Sequence, residues 1–266
     1  MNRSGIRPSP IFIGLVVVAV VGGFLTTLDS QAAINGGTLL LVIGGWGVSL
    51  CLHEFCHAIV AYRGGDWAVR DKGYLTLDIR RYTDPVFSIV LPLLFLLFGG
   101  IPLPGGAVWV DHRYLRSRRI ESMVSVVGPL SNLVLGVILA AVIRTIPLNG
   151  IAVFGGIEPV NGRDMLAAAL AYLALLQVLA FFINILPIPG LDGWGTIEPW
   201  LSPEAKRFGA MVRPWAPMVL FVLLIGVPSV RNGLLTVTDA IFNGVGGNAG
   251  LAQLGQDNFL FWQHGF

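Results

Sequence analysis

Residues 38–62 read TLLLVIGGWGVSLCLHEFCHAIVAY, an apolar run that carries His53, Glu54 and His57 and no lysine or arginine. Spanning the roughly 30 Å hydrocarbon core of a bilayer takes about 20 apolar residues in a helix, and this run is long enough. The whole chain follows suit. Of its 266 residues 55% are hydrophobic and 12% charged, with a mean hydropathy of +0.75. A soluble domain carries about a quarter charged residues, so this chain is solvated largely by lipid. A net charge of +2 gives no footprint for nucleic acid. The two cysteines, Cys51 and Cys56, both fall inside the quoted run, which excludes a disulfide framework. Sixteen prolines and 34 glycines fit a lipid-embedded bundle, where they act as kinks and points of close packing.

Working outward, further apolar runs cover residues 11–27, 86–101, 122–146, 165–187 and 214–227, and a weaker one covers 234–245 with Asp239 and Asn243 inside it. Arg3 and Arg7 precede the first run, but no small-residue cleavage site follows, so it reads as a retained span rather than a signal peptide. Basic residues collect on the cytoplasmic side of spans. They place the N-terminus inside and the 27–37 connection, which has none, outside. Arg63, Arg70, Lys72, Arg80 and Arg81 mark the next connection as cytoplasmic, and Arg113, Arg116, Arg118 and Arg119 mark the one after it. The 86–101 run therefore dips in and returns, or lies along the interface. Lys206, Arg207 and Arg213 then sit inside and the C-terminus outside. The fold class expected is an all-α polytopic membrane protein of about five to six transmembrane helices. It forms a single domain over 1–266, with a re-entrant or β-like element near the site.

Residues four apart on a helix share a face, so His53 and His57 can reach one metal ion while Glu54 stands about 100° round from His53. This is the His-Glu-x-x-His arrangement of zinc hydrolases, in which the glutamate takes a proton from water that the metal activates. The plain alternative is three polar groups serving as intramembrane hydrogen-bonding partners. Burying an ionisable group in a span costs at least about 2.5 kcal/mol, which makes three within five positions poor filler. An open zinc site normally takes three protein ligands. Asp192 stands out as the third, in Asn184-Ile185-Leu186-Pro187-Ile188-Pro189-Gly190-Leu191-Asp192-Gly193. Two prolines end the helix there, and broken backbone at membrane depth is tolerated where it is buried or lines a polar cavity. Ordinary turn chemistry at a span end is the competing reading. Topology favours the metal, because His53 and His57 lie about 9–15 Å in from Arg63 and Asp192 arrives at the same cytoplasmic side. Gly128-Pro129-Leu130-Ser131-Asn132 is a third marker, which taken alone reads as close helix packing with Asn132 as interhelical glue.

Together, His53-Glu54-x-x-His57, Gly128-Pro129-x-x-Asn132 and Asn184-x-x-Pro187-x-Pro189-x-Leu191-Asp192-Gly193 resemble the site-2 protease family of intramembrane metalloproteases over residues 39–201. The resemblance implies one zinc ion held by His53, His57 and Asp192, with Glu54 as the base that activates water. It implies that Asn132 and Asn184 line the site and hold the substrate strand or the developing oxyanion. It implies single-span membrane proteins as substrates, cut in regulated intramembrane proteolysis, and a multi-pass location in a cell membrane of bacterial or archaeal type. PDZ and CBS domains, frequent in the family, have no room here, and 86–101 has no counterpart in the minimal core. A catalytically silent relative that binds membrane clients would lack the base, which Glu54 preserves. A metal-binding transporter would show paired repeats, and none is evident. Cys56 points off the ligand face and reads as a small hydrophobe; His112 and His264 read as solvated. Two β-like runs, Tyr74-Leu75-Thr76-Leu77-Asp78-Ile79 and Ala107-Val108-Trp109-Val110, flank 86–101. A small sheet that accepts substrate as an added strand, and a pair of interfacial loops, are both open readings of them.

Overall fold

The computed structural model describes residues 7–82, 91–99, 110–149, 151–153, 156–158 and 161–263. The chain is an all-α membrane protein, and three of the described helices are long and apolar enough to cross a bilayer: α2 (Gln31–Gly64), α5 (Arg118–Ile143) and α6 (Gly162–Ile185). Ahead of them comes the shorter apolar helix α1 (Pro10–Leu25). Its start is set by Pro10 and by Ser9, whose Oγ accepts from the Phe12 N–H at 3.1 Å. Lipid offers no hydrophobic drive for helices to associate, so backbone approach must supply the contact. The seam between α1 and α2 is accordingly made of glycine. A Cβ on Gly22 would sit 2.7 Å from the Gly37 carbonyl oxygen, and one on Gly37 equally close to the Thr26 nitrogen.

Helix α2 ends at Gly65 with φ +125°, and the chain then folds back along it. After a single turn, α3 (Ala68–Asp71), comes the 74–79 run, which the sequence leaves open between a strand and an interfacial loop. Tyr74–Thr76 and Ile79–Arg81 form 3₁₀ turns. Gly73 and Leu77 adopt positive φ at either end of the first, and Asp78 accepts from the Arg80 N–H at 3.2 Å. Turn chemistry wins over alternation where Tyr74, Leu75 and Ile79 bury themselves in apolar clusters with helix residues, and no strand pairs with them among the described residues. The partner run lies outside the described residues except for Val110, which is in no strand. The β structure among the described residues lies elsewhere, in an antiparallel hairpin of β1 (Ile151–Val153) and β2 (Gly156–Glu158) between α5 and α6. Helix α4 (Leu91–Gly99) is nine residues long; at 1.5 Å per residue it covers less than half of the roughly 30 Å core.

Beyond α6 follow α7 (Asp192–Ile197), α8 (Pro203–Val212), α9 (Ala216–Gly226), α10 (Pro228–Gly244) and α11 (Ala249–Phe259). The apolar run 214–227 and the weaker run 234–245 join end to end through a 98° bend between α9 and α10, at Val227-Pro228. Proline removes a donor and clashes with the preceding turn, so it starts a helix readily but does not continue one. Helix α11 packs back on α6, where Gly255 lies against the Ala168 carbonyl, and Tyr172, Phe259 and Leu260 join the main cluster with Leu41, Val42 and Leu50.

Asp66 ties the end of α2 to the approach of α5. It is fully buried, its carboxylate accepts from the Ala68 N–H at 3.1 Å and the Asp111 N–H at 2.8 Å, and the Arg116 N–H donates to the Gly64 carbonyl at 3.1 Å. This strap starts α5 beside the histidine end of α2. Asp66→Ala removes a buried carboxylate that accepts two backbone N–H groups and is expected to destabilise the protein by about 1–3 kcal/mol. The measurement is thermal unfolding in detergent, and an unchanged transition would mean apolar packing alone holds the strap.

Candidate metal centre

The site is assembled by three helices. On α2, His53 and His57 stand one turn apart, both buried. Helix α5 runs antiparallel across them and presents three successive turns of one face, at Val124, Gly128 and Asn132. Helix α6 stops at Ile185; Pro187 and Pro189 carry the chain round, Gly190 turns it with φ +100°, and α7 opens on Asp192. The broken backbone thus delivers a carboxylate to the histidines from the far side. Asp192 Oδ2 lies 3.1 Å from His53 Nε2 and 3.5 Å from His57 Nε2, and the two Nε2 atoms are 3.0 Å apart.

These edges fit a tetrahedral zinc, whose roughly 2.0–2.2 Å bonds set N and O ligands about 3.3 Å apart. The outer nitrogens leave the inner ones free to act as ligands. His53 Nδ1–H donates to Asn132 Oδ1 at 2.6 Å, and His57 Nδ1–H donates to the Val124 carbonyl at 2.5 Å. With each ring proton held on Nδ1, both Nε2 lone pairs point at the same place as a carboxylate oxygen. Converging acceptors repel unless a cation lies between them. Gly128 makes the room, since a Cβ there would collide with His57 Nε2 and come within 2.8 Å of His53 Nε2. The glycine that reads in sequence as a packing device clears the metal position.

Burial says where the site opens. The histidine side chains are 8% and 9% exposed and that of Asp192 is 25% exposed, so access comes from the α7 side. Glu54, one residue along α2, is buried. Asn184 is buried in the last turn of α6, and Asn132 is buried beside His53. Two further partners escaped the sequence reading. The Val124 carbonyl is backbone and leaves no trace in residue type. Gln177, fully buried on α6, accepts from Asn132 Nδ2–H at 3.0 Å. It was legible as the one glutamine inside the apolar run 165–187, which also holds Asn184. Cys56 is not among the clustered ligand atoms of the described residues. His112 lies exposed, 3.0 Å from Glu121, and His264 is outside the described residues.

No protein-family model matches the chain and no solved structure matches it. It is 41% identical over 264 residues to the Mycobacterium tuberculosis protein named "Putative zinc metalloprotease Rip2", covering 98% of this chain and 96% of that one. The chain belongs to the site-2 protease family of zinc metalloproteases. The Mycolicibacterium smegmatis protein of the same name is 39% identical over 267 residues, 99% of this chain and 98% of its own length. A Bacillus subtilis zinc metalloprotease of like designation, YwhC, is 37% identical over 92 residues, 34% of this chain and 39% of that protein. Membership of a zinc metalloprotease family makes zinc the cofactor, and the clustered atoms of His53, His57 and Asp192 are where this site-2 protease relative offers to hold it.

Gly128→Ala places a methyl group against both Nε2 atoms of the candidate site. Zinc affinity, measured by chelator competition on the purified protein, is expected to fall by about tenfold or more, the scale on which disturbed surroundings weaken metal sites. Unchanged affinity would show that the ion sits away from α5.

Proposed function

We propose that this metalloprotease is an intramembrane endopeptidase that hydrolyses peptide bonds in or beside the transmembrane segments of single-span membrane proteins. The observation that carries the reading is that His53, His57 and Glu54 project from α2, a helix long and apolar enough to cross a bilayer, while Asp192 meets them from the start of α7, seven residues beyond the end of α6, another such helix. Within this reading His53, His57 and Asp192 hold the zinc. Bound there, zinc supplies a Lewis acid that lowers the pKa of water to about 7 and polarises the scissile carbonyl. Glu54 takes the proton from the attacking water and later returns it to the leaving amine. Asn132 orients His53, and Asn184 holds the substrate backbone near the scissile bond. The quarter-exposed Asp192 marks the side from which an extended substrate enters. The chain crosses the membrane five times, α1, α2, α5 and α6 among the crossings, with α4 lying in one leaflet and the site toward the cytoplasm. Loss of the base is the expected mark of a catalytically silent relative, so the buried Glu54 favours the enzyme.

Glu54→Gln keeps side-chain size and loses basicity. The variant is expected to bind one zinc per chain and to cut a single-span substrate in liposomes at least about 100-fold more slowly. Residual cleavage within about tenfold of wild type would remove Glu54 as the base. The topology has its own test: single cysteines placed at Arg81 and at Arg116 should both be labelled by an impermeant reagent from the cytoplasmic side. Labelling from opposite sides would make the segment between them a crossing.

A further inference from the structure

Gln177 is a second amide placed behind the metal ligands, and nothing about zinc chemistry alone requires it. It lies on the side of α6 that packs against α5, where a Cβ on Gly136 would lie 3.4 Å from Gln177 Cβ. The residue is fully buried among apolar neighbours. Its Oε1 accepts from Asn132 Nδ2–H at 3.0 Å, and its own Nε2 has no hydrogen-bond partner among the described residues. A buried donor left unpaired is a loss of stability, so a side chain that merely filled this space would be better apolar. The acceptor is therefore the part of Gln177 that matters here. We infer that Gln177 is a positioning residue for the metal centre, whose carbonyl holds the Asn132 amide in the one orientation that presents His53 Nε2 to zinc. The inference rests on the zinc-protease reading of the triad.

The chain of donors runs one way. His53 Nδ1–H donates to Asn132 Oδ1 at 2.6 Å, and the same amide donates through Nδ2 to Gln177. Each amide can face either way in space, and its hydrogen-bond partners choose. An acceptor at Gln177 attracts the NH₂ side of Asn132 and turns its oxygen toward the histidine. With the Asn132 amide reversed, its NH₂ faces Nδ1, the ring proton moves to Nε2, and that nitrogen no longer has a lone pair for a metal. The relay therefore carries a preference from α6 through α5 to α2, and it acts on the ligand without touching it.

Three substitutions separate this from a packing role. Gln177→Met keeps the volume and removes the acceptor. Gln177→Glu keeps an acceptor and removes the unpaired Nε2. Gln177→Asn keeps an amide and draws its carbonyl back by one methylene. Zinc affinity is read by chelator competition, with the visible spectrum of the cobalt-substituted protein as a report on ligand geometry and detergent gel filtration as the check of folding. Gln177→Met and Gln177→Asn should each weaken zinc by about tenfold or more, with an altered cobalt spectrum, while Gln177→Glu stays within about threefold of wild type and keeps the wild-type spectrum. In an Asn132→Leu background Gln177→Met should cause no further loss, because the relay is already cut. Should Gln177→Met fail to fold, Gln177→Asn carries the comparison. Wild-type affinity in the Met or Asn variant, equal loss in the Glu variant, or additive losses in the double variant would overturn the assignment. A wild-type protein that binds no zinc would overturn the metalloprotease reading itself, a separate failure.

Discussion

Two imidazole nitrogens and a carboxylate oxygen meet within 3.0–3.5 Å of one another inside a bundle of apolar helices. Everything around them answers the problem this creates. Three electron pairs pointed at one spot repel, and a largely buried site offers little solvent to screen them. A divalent ion resolves the conflict, but only if the lone pairs are held there before it arrives. The Val124 carbonyl and the Asn132 amide do the holding, one for each ring.

That requirement explains how the helices are placed. The face of α5 toward α2 carries a carbonyl, a bare Cα–H and an amide on consecutive turns, at Val124, Gly128 and Asn132, and each has a separate task. Sliding α5 by one turn would put Asn132 where Gly128 now leaves room. The strap at Asp66 and the Gly64 to Arg116 hydrogen bond hold that register from the α2 end. On the opposite side, Pro187, Pro189 and Gly190 convert the end of α6 into a corner, so a carboxylate arrives on backbone that could not lie in open lipid. Precision is thus concentrated in a few close approaches, while the lipid-facing sides of α5 and α9 carry exposed valine, isoleucine and methionine.

A polar relay inside such a bundle has consequences beyond the ligands. Asn132 and Gln177 hydrogen-bond each other across α5 and α6, and His53 joins α2 to the pair. The same hydrogen bonds that reach the candidate ligand His53 therefore also register the helices against one another. Specificity of packing and specificity of chemistry share one set of hydrogen bonds, as expected where apolar contact alone cannot distinguish lipid from protein.

Local patterns were readable from the chain itself. The spacing of His53, Glu54 and His57 on a helix depends only on 3.6 residues per turn, and the corner before Asp192 depends only on what proline does to a backbone. Composition alone placed the helices in a membrane. The alternation at residues 74–79 could not choose between strand and loop, because period two is a property of any extended-looking run, and the described residues there form 3₁₀ turns buried against helices. Joining of the last two apolar runs at a bend, and the hairpin of β1 and β2, likewise left no clear local signal. What only the tertiary structure decided is which groups stand behind the ligands. A backbone carbonyl at Val124, the missing Cβ of Gly128 and the amide of Gln177 acquire their roles from the crossing of α2, α5 and α6. Those crossings are set by close packing between segments far apart in the chain, and no periodicity within one segment encodes them.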